Sequence, residues 1–175
     1  MEIRQQKTVN EMISDRGYSG KFDYENEEFH IIDGKLCIYV VNMPKIGINI
    51  VKNLQSFLEE HGLKYAMIFF KESITAFAKQ QLDELRTTAK IETFSFDDMI
   101  FNITQHVLVP KHELIDEKEK RALCKKLSIN ERRLPQIKKN DPVCRYYGAE
   151  IGDVFKITRS SESTYQSTYY RLVVN

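Results

Sequence analysis

The stretch Phe29-His30-Ile31-Ile32-Asp33-Gly34-Lys35-Leu36-Cys37-Ile38-Tyr39-Val40-Val41 decides how the first half of the chain is read. Two β-rich runs flank Asp33-Gly34, a pair that strongly favours a hairpin turn. The second run is apolar at every position, which predicts a strand buried on both faces rather than one with a wet side. Working outward toward the N-terminus, residues 19–28 are polar and acidic and read as a loop. Before them, residues 2–17 read as a helix with a partial apolar stripe of Ile3, Val9, Met12 and Ile13, ending at Gly17.

Toward the C-terminus, Pro44 and Gly47 mark a turn. Ile48, Val51, Leu54 and Leu58 then recur at helical spacing as far as His61-Gly62. The short apolar run Tyr65-Ala66-Met67-Ile68-Phe69-Phe70 predicts a central strand. Ser73 or Thr75 can cap a helix running to about Arg86, with Ala78, Leu82 and Leu85 inward. Residues 91–96 alternate apolar and polar, as a half-buried strand does. The order helix, hairpin, helix, strand, helix, strand describes an α/β module with a short mixed sheet over residues 1–103.

Residues 104–175 read differently. Residues 104–113 are a connector. Asp116, with Glu119 three residues on, predicts a helix over 117–127 with Ala122, Leu123 and Leu127 inward. Asn130 can cap a short turn that stops before Pro135. Asp141-Pro142 places an N-cap before a proline at the first helical position, and Gly148 ends that short helix. Residues 154–159 and 168–174 are strand partners joined by a polar loop over 160–167. The second domain is therefore a small α+β unit. With only two strands, it predicts a partner chain that completes or covers its sheet. Strand 168–174 offers an edge for such a partner, and Tyr146, Tyr147, Tyr169 and Tyr170 are possible anchors, although most should serve the core.

A chain of 175 residues with 42% hydrophobic content is long enough to bury a core without disulfides or metals. No apolar run approaches the ~18 residues of a membrane helix, and the first residues carry no apolar signal core. Three widely spaced cysteines, Cys37, Cys124 and Cys144, suit a reducing compartment, with Cys124 expected on an apolar helix face. The net charge of +1 divides unevenly: residues 1–103 hold 12 Lys/Arg and 16 Asp/Glu (−4), and residues 104–175 hold 14 and 9 (+5). Two modules with different partners are implied.

Catalytic and cofactor signatures are missing. There is no glycine-rich phosphate loop, C-x-x-C, H-E-x-x-H or G-x-S-x-G pattern. No cofactor is expected, and His106 and His112 around Pro110 lack nearby cysteines for a zinc site. The acidic run 23–28 reads as a solvated loop. Arg132-Arg133, Lys138-Lys139 and Arg145 suit phosphates, a solvated face or an acidic partner equally. A free-standing nucleic-acid-binding protein and an α/β nuclease stay open on these residues.

Longer strings narrow the reading. Leu108-Val109-Pro110-Lys111-His112, Leu134-Pro135-Gln136-Ile137, Asp141-Pro142-Val143, Arg145-Tyr146-Tyr147-Gly148 and Gly152-Asp153-Val154-Phe155-Lys156-Ile157 occur in one order. Arg159, Ser161-Glu162-Ser163 and Tyr170-Arg171-Leu172-Val173 follow them. This part resembles the fifth-largest subunit shared by eukaryotic DNA-dependent RNA polymerases, which has an archaeal equivalent. Residues 10–18, Lys90-Ile91-Glu92-Thr93-Phe94 and Asn102-Ile103-Thr104-Gln105-His106 resemble the N-terminal domain of the eukaryotic form, which archaeal members lack. Residues 19–46 are shorter than in nuclear members, which admits a large-DNA-virus source.

The resemblance implies a non-catalytic subunit, with nucleotide addition carried out by other chains. An α/β N-terminal jaw domain, 1–103, would lie in the lower jaw beside downstream duplex DNA. There Lys71, Ser73, Thr75 and Lys79 are candidate neighbours of the phosphates, for weak, sequence-independent contact. The alternative for these residues is that they only cap a helix. A small α+β C-terminal assembly domain, 104–175, would dock on the largest subunit and other polymerase subunits. Its candidate interface residues are Pro110, His112, Pro135, Asp141, Pro142, Arg145, Tyr146, Gly148, Arg159, Glu162, Tyr170 and Arg171. The expected location is the nucleus for a cellular protein, or host cytoplasm, nucleus and virion for a viral one.

Overall fold

The computed structural model describes residues 1–24, 28–160 and 166–175. They divide into two compact units, Met1–Phe101 and Asn102–Asn175.

The first unit opens with α1 (Ile3–Asp15), closed by Gly17 at a φ of 84°. β1 (Phe29–Ile32) and β2 (Leu36–Val41) form the expected antiparallel hairpin, with Asp33 and Gly34 both at positive φ in its turn. β3 (Lys45–Ile46) leads into α2 (Ile48–His61), which ends on left-handed Gly62. β4 (Tyr65–Phe70), β5 (Ser73–Ile74), α3 (Ala76–Leu85) and β6 (Lys90–Ser95) complete the unit. The main sheet runs β1-β2-β4-β6, with β2, β4 and β6 parallel, so the short mixed sheet is as expected.

All six residues of β2 are buried. Their period of two sends Cys37, Tyr39 and Val41 toward one core with Val51, Leu54 and Leu58 of α2 and Ala78 and Leu82 of α3. The other face lies under α1. Arg16, at the end of that helix, bonds to Glu92 and Tyr65 and sits 5.9 Å from the Phe94 ring. Its guanidinium forms a 2.9 Å ion pair with Glu92, and only 4% of the Arg16 side chain is exposed. Burial is the main reason the Tyr65 phenol is pushed above its ordinary pKa; the Arg16 charge opposes it.

Two features of this unit were not expected. Ser73 lies in β5 and not at a helix cap, and β5 pairs in parallel with β3. The cap is Thr75, whose hydroxyl accepts from the Ala78 amide. A two-residue ladder has too little periodicity to register in sequence.

The second unit contains β7 (Lys111–Leu114), α4 (Glu117–Leu127), β8 (Gln136–Lys138), α5 (Pro142–Tyr147), β9 (Val154–Ser160) and β10 (Gln166–Val174). Asp116, Asn130 and Asp141 cap α4, a 3-10 turn at Glu131–Arg133, and α5, as the residue types predict. Gly148, at a φ of 64°, ends α5.

The sheet is four-stranded, in the order β7-β9-β10-β8. This corrects the expectation of a two-stranded sheet: the chain itself supplies β7 from the connector and β8 after Pro135. Both are too short, at four and three residues, to show an alternating pattern. The hairpin also extends further than expected, to Ser160 and Gln166.

α5 packs on one sheet face, where Phe155, Ile157 and Val173 meet Cys144 and Ala149. On the other face Val154 and Leu172 meet Leu134, Ile115 and Ile129. α4 corrects a further expectation. Leu123 is buried, but Ala122 and Leu127 are exposed and Cys124 is only half-buried. Five Lys or Arg in eleven residues leave this helix a narrow apolar stripe. By contrast, burial pushes the Cys37 and Cys144 thiols up to about 12.

Candidate functional sites

The first group of candidates sits where the parallel strands of the first unit end. β4 stops at Phe70; Lys71 and Glu72 turn the chain; β5 then lies against β3. Lys71, Ser73 and Lys79 are exposed there, and Thr75 is half-buried. The Thr75 hydroxyl donates to the Ile46 carbonyl at 3.0 Å while accepting from Ala78. A hydroxyl has one proton to give, so Thr75 acts as a cap and brace and has no donor left for a phosphate. Lys71, Ser73 and Lys79 keep polar groups at the surface, with Lys45 on the neighbouring strand. Phe77 and Met43 add exposed apolar surface nearby in the chain, at 76% and 58% exposure.

The second group lies in the Asn102–Asn175 unit, and the structure separates its members by task. Several support the fold. The Pro135 carbonyl accepts the Leu172 amide at 2.8 Å and so seats β8 on β10. Asp141 and Pro142 start α5, and Gly148 stops it. The buried Tyr146 hydroxyl accepts from the Asn102 side chain at 2.8 Å. Asn102 also accepts from the Thr104 amide, so one amide side chain ties the beginning of the unit to α5. The pairing of Asn102 with Tyr146, 44 residues apart, leaves no local signal in the sequence.

His112 stands between fold and surface. Its Nδ1 lies 2.7 Å from the Pro110 carbonyl. A carbonyl can only accept, so Nδ1 carries the proton and the neutral ring leaves Nε2 as an acceptor. The ring meets Phe155 edge-on, with centroids 5.7 Å apart. Partial burial lowers the His112 pKa, against the opposing influence of the Pro110 bond and the Asp141 charge; Arg171 and Arg159 lower it further.

Register shows which candidates share a face. Directly paired strand residues point the same way, so His112, Ile157 and Tyr169 are aligned, as are Phe155 and Arg171, and Arg159 and Ser167. His112, Arg159 and Arg171 therefore gather on the α5 side of the sheet. The Arg159 guanidinium lies 5.7 Å from the ring centre of Tyr169, which is 52% exposed. Tyr170 points to the opposite side and packs, half-buried, against the cluster of Leu172, Val154 and Leu134. Of the four tyrosines considered as anchors, only Tyr169 presents most of its ring. Glu162 lies outside the described residues. Arg145 is half-buried on α5.

Among the described residues, no group of three or more His, Cys, Asp or Glu is arranged to hold a metal. No helix there is long and apolar enough to cross a membrane.

Comparison with known proteins adds to this geometry. Residues 101–173 match the family "RNA polymerase Rpb5, C-terminal domain". Across 193 aligned residues the chain is 36% identical to a subunit of DNA-directed RNA polymerases I, II and III from Dictyostelium discoideum, covering 99% of this chain and 96% of that one. The corresponding Caenorhabditis elegans subunit is 30% identical over 199 residues, covering 98% and 94%. Subunit 5B of RNA polymerases IV and V from Arabidopsis thaliana is 44% identical over 84 residues, covering 48% of this chain and 38% of that one. With similarity along nearly its whole length, the chain belongs to the Rpb5 family of DNA-directed RNA polymerase subunits.

Proposed function

We propose that this chain is a non-catalytic structural subunit of a multisubunit RNA polymerase. The Asn102–Asn175 unit attaches to the largest subunit, and the Met1–Phe101 unit takes a place in the lower jaw beside downstream DNA. The observation that carries the reading is the near-full-length similarity to subunits shared by polymerases I, II and III. The charge pattern supports the division of labour. A unit of net +5 suits an acidic protein surface. A unit of net −4 with a few exposed lysines at one tip suits DNA that must slide past. Nucleotide addition then belongs to other chains.

On this reading Lys71, Ser73 and Lys79 lie closest to phosphates, and Arg159, Arg171 and His112 lie closest to the largest subunit. Pro110, Pro135, Asp141, Pro142, Tyr146 and Gly148 shape that surface from beneath. The relatives named above come from cellular eukaryotes and favour the nucleus; they lend no support to a viral source or a virion location. Family membership likewise favours the subunit over a free-standing nucleic-acid-binding protein or an α/β nuclease. The test is affinity purification of the tagged chain from its native cell, with mass spectrometry of what accompanies it. Large polymerase subunits in stoichiometric amounts are expected. Recovery of the chain alone would overturn the proposal.

A further inference from the structure

Resting on that assembly reading, we infer that the β10 edge over residues 166–171 is a docking slot for an extended, acidic segment of another polymerase chain, which adds to the sheet as a strand. β10 is nine residues long, and β9 lines one side of it from Gln166 to Leu172. On its other side β8 pairs only with Leu172, Val173 and Val174. Among the described residues nothing pairs with the remaining six on that side.

The direction of the backbone groups follows from two bonds. The Leu172 amide donates to Pro135, toward β8, and the Val173 amide donates to Asp153, toward β9. Strand backbone groups alternate sides along the chain, so the N–H and C=O groups of Gln166, Thr168 and Tyr170 face outward along the open side.

Other edges of this sheet are short and carry groups that discourage pairing. The outer edge of β7 is four residues long, follows Pro110 and contains Lys111 and Glu113. The outer edge of β8 is three residues long, follows Pro135 and ends in Lys138. The open part of β10 has neither proline nor lysine. It is bounded at one end by Pro135.

Chemistry beside the slot selects the occupant. Tyr169 and Arg171 flank it on the α5 face, and the Arg159 guanidinium is held over the Tyr169 ring. Arg132 and Arg133, both exposed, precede the Leu134-Pro135 end. An added strand bearing a carboxylate opposite Arg171 places opposite charges on adjacent strands, the favourable pairing. A second copy of this unit would bring net +5 against net +5, so another chain of the polymerase is the occupant.

The test compares residue-resolved hydrogen exchange of the full chain, free and within purified polymerase. Exchange at Thr168 and Tyr170 should slow at least tenfold in the polymerase. Thr168→Pro removes one outward-facing donor and leaves the β9 ladder intact, because proline is accepted where the N–H faces off the sheet. This variant should keep the wild-type circular dichroism spectrum and lose at least tenfold in incorporation; Arg171→Glu should lose severalfold. If the wild-type chain is incorporated while Thr168 and Tyr170 exchange as fast as in the free chain, the slot is refuted and the assembly reading stands. If the wild-type chain never enters a polymerase, both fall. A free chain of doubled mass by light scattering, with these two amides protected, would make a second copy the occupant and also refute the inference. Should the proline variant lose its spectrum, exchange in the unaltered chain decides alone.

Discussion

In the Met1–Phe101 unit, the parallel strands are joined by α2 and α3, which cover their own sheet, and a buried ion pair ties the remaining helix to it. In the Asn102–Asn175 unit, six-residue α5 packs on a small sheet whose longest strand is lined, among the described residues, at only three of its nine residues on one side. The first unit is net acidic, and the second is net basic, with exposed Arg159 and Arg171 on one face of its sheet. The difference teaches that a unit's charge and its unfinished backbone, more than its size, indicate where it meets another macromolecule.

That contrast can be broken at several points. The largest effect is expected in the first unit. Arg16→Met removes the more buried of the two cations paired with Glu92, leaving that carboxylate the Tyr65 hydroxyl and the partly exposed Lys90 at 3.6 Å; losing one partner of a buried pair costs up to about 3–5 kcal/mol. The fall should appear as a lower urea midpoint. Phe155→Ala tests whether the second unit has an equally dense core. Its side chain is fully buried, and a cavity of that size costs about 3–5 kcal/mol, again read from urea unfolding. Tyr146→Phe removes one hydrogen-bond acceptor from the buried Asn102 amide and should cost about 1 kcal/mol.

Acid provides a smaller, graded test. The folded pKa of His112 lies below its ordinary value of 6.5. Its contribution to stability is therefore present above pH 6.5 and fades as pH falls through the folded value, where the unfolded chain binds the proton more readily. A His112→Gln variant should show a flatter stability profile below pH 6.5 than the wild type. The smallest stability effect belongs to Arg159→Glu, within about 0.5 kcal/mol for an exposed site, while incorporation into polymerase drops. Equal incorporation of Arg159→Glu and Lys79→Ala would remove the functional distinction between the units. Tyr170→Ala is a poorer probe, because that ring packs against a core cluster and its loss would disturb folding as well.

Much of this architecture is legible in the chain's own chemistry. Asp33-Gly34, the unbroken apolar β2 and the caps Asp116, Asn130 and Asp141 act over a few residues, and local physics fixes them. β3, β5, β7 and β8 escape because two to four residues hold no period, and their partners lie far along the chain. The site was legible as a set of residues and not as a surface. Tyr146, Asp141 and Gly148 stand beside Arg159 and Arg171 in the recognisable strings, yet the former hold the fold and the latter face outward. Only register separates them. Tyr169 next to Tyr170 makes the point: adjacent tyrosines on one strand point to opposite sides.

The uneven burial of the three thiols has a practical consequence. Cys37 and Cys144 are shut inside the two cores, with thiols held up to about 12. Cys124 alone is half-buried, on α4. A maleimide dye applied to the native protein at neutral pH should therefore attach at one position, with no cysteine removed beforehand. That gives a fluorescent handle on the basic unit, suited to timing its capture by a larger complex.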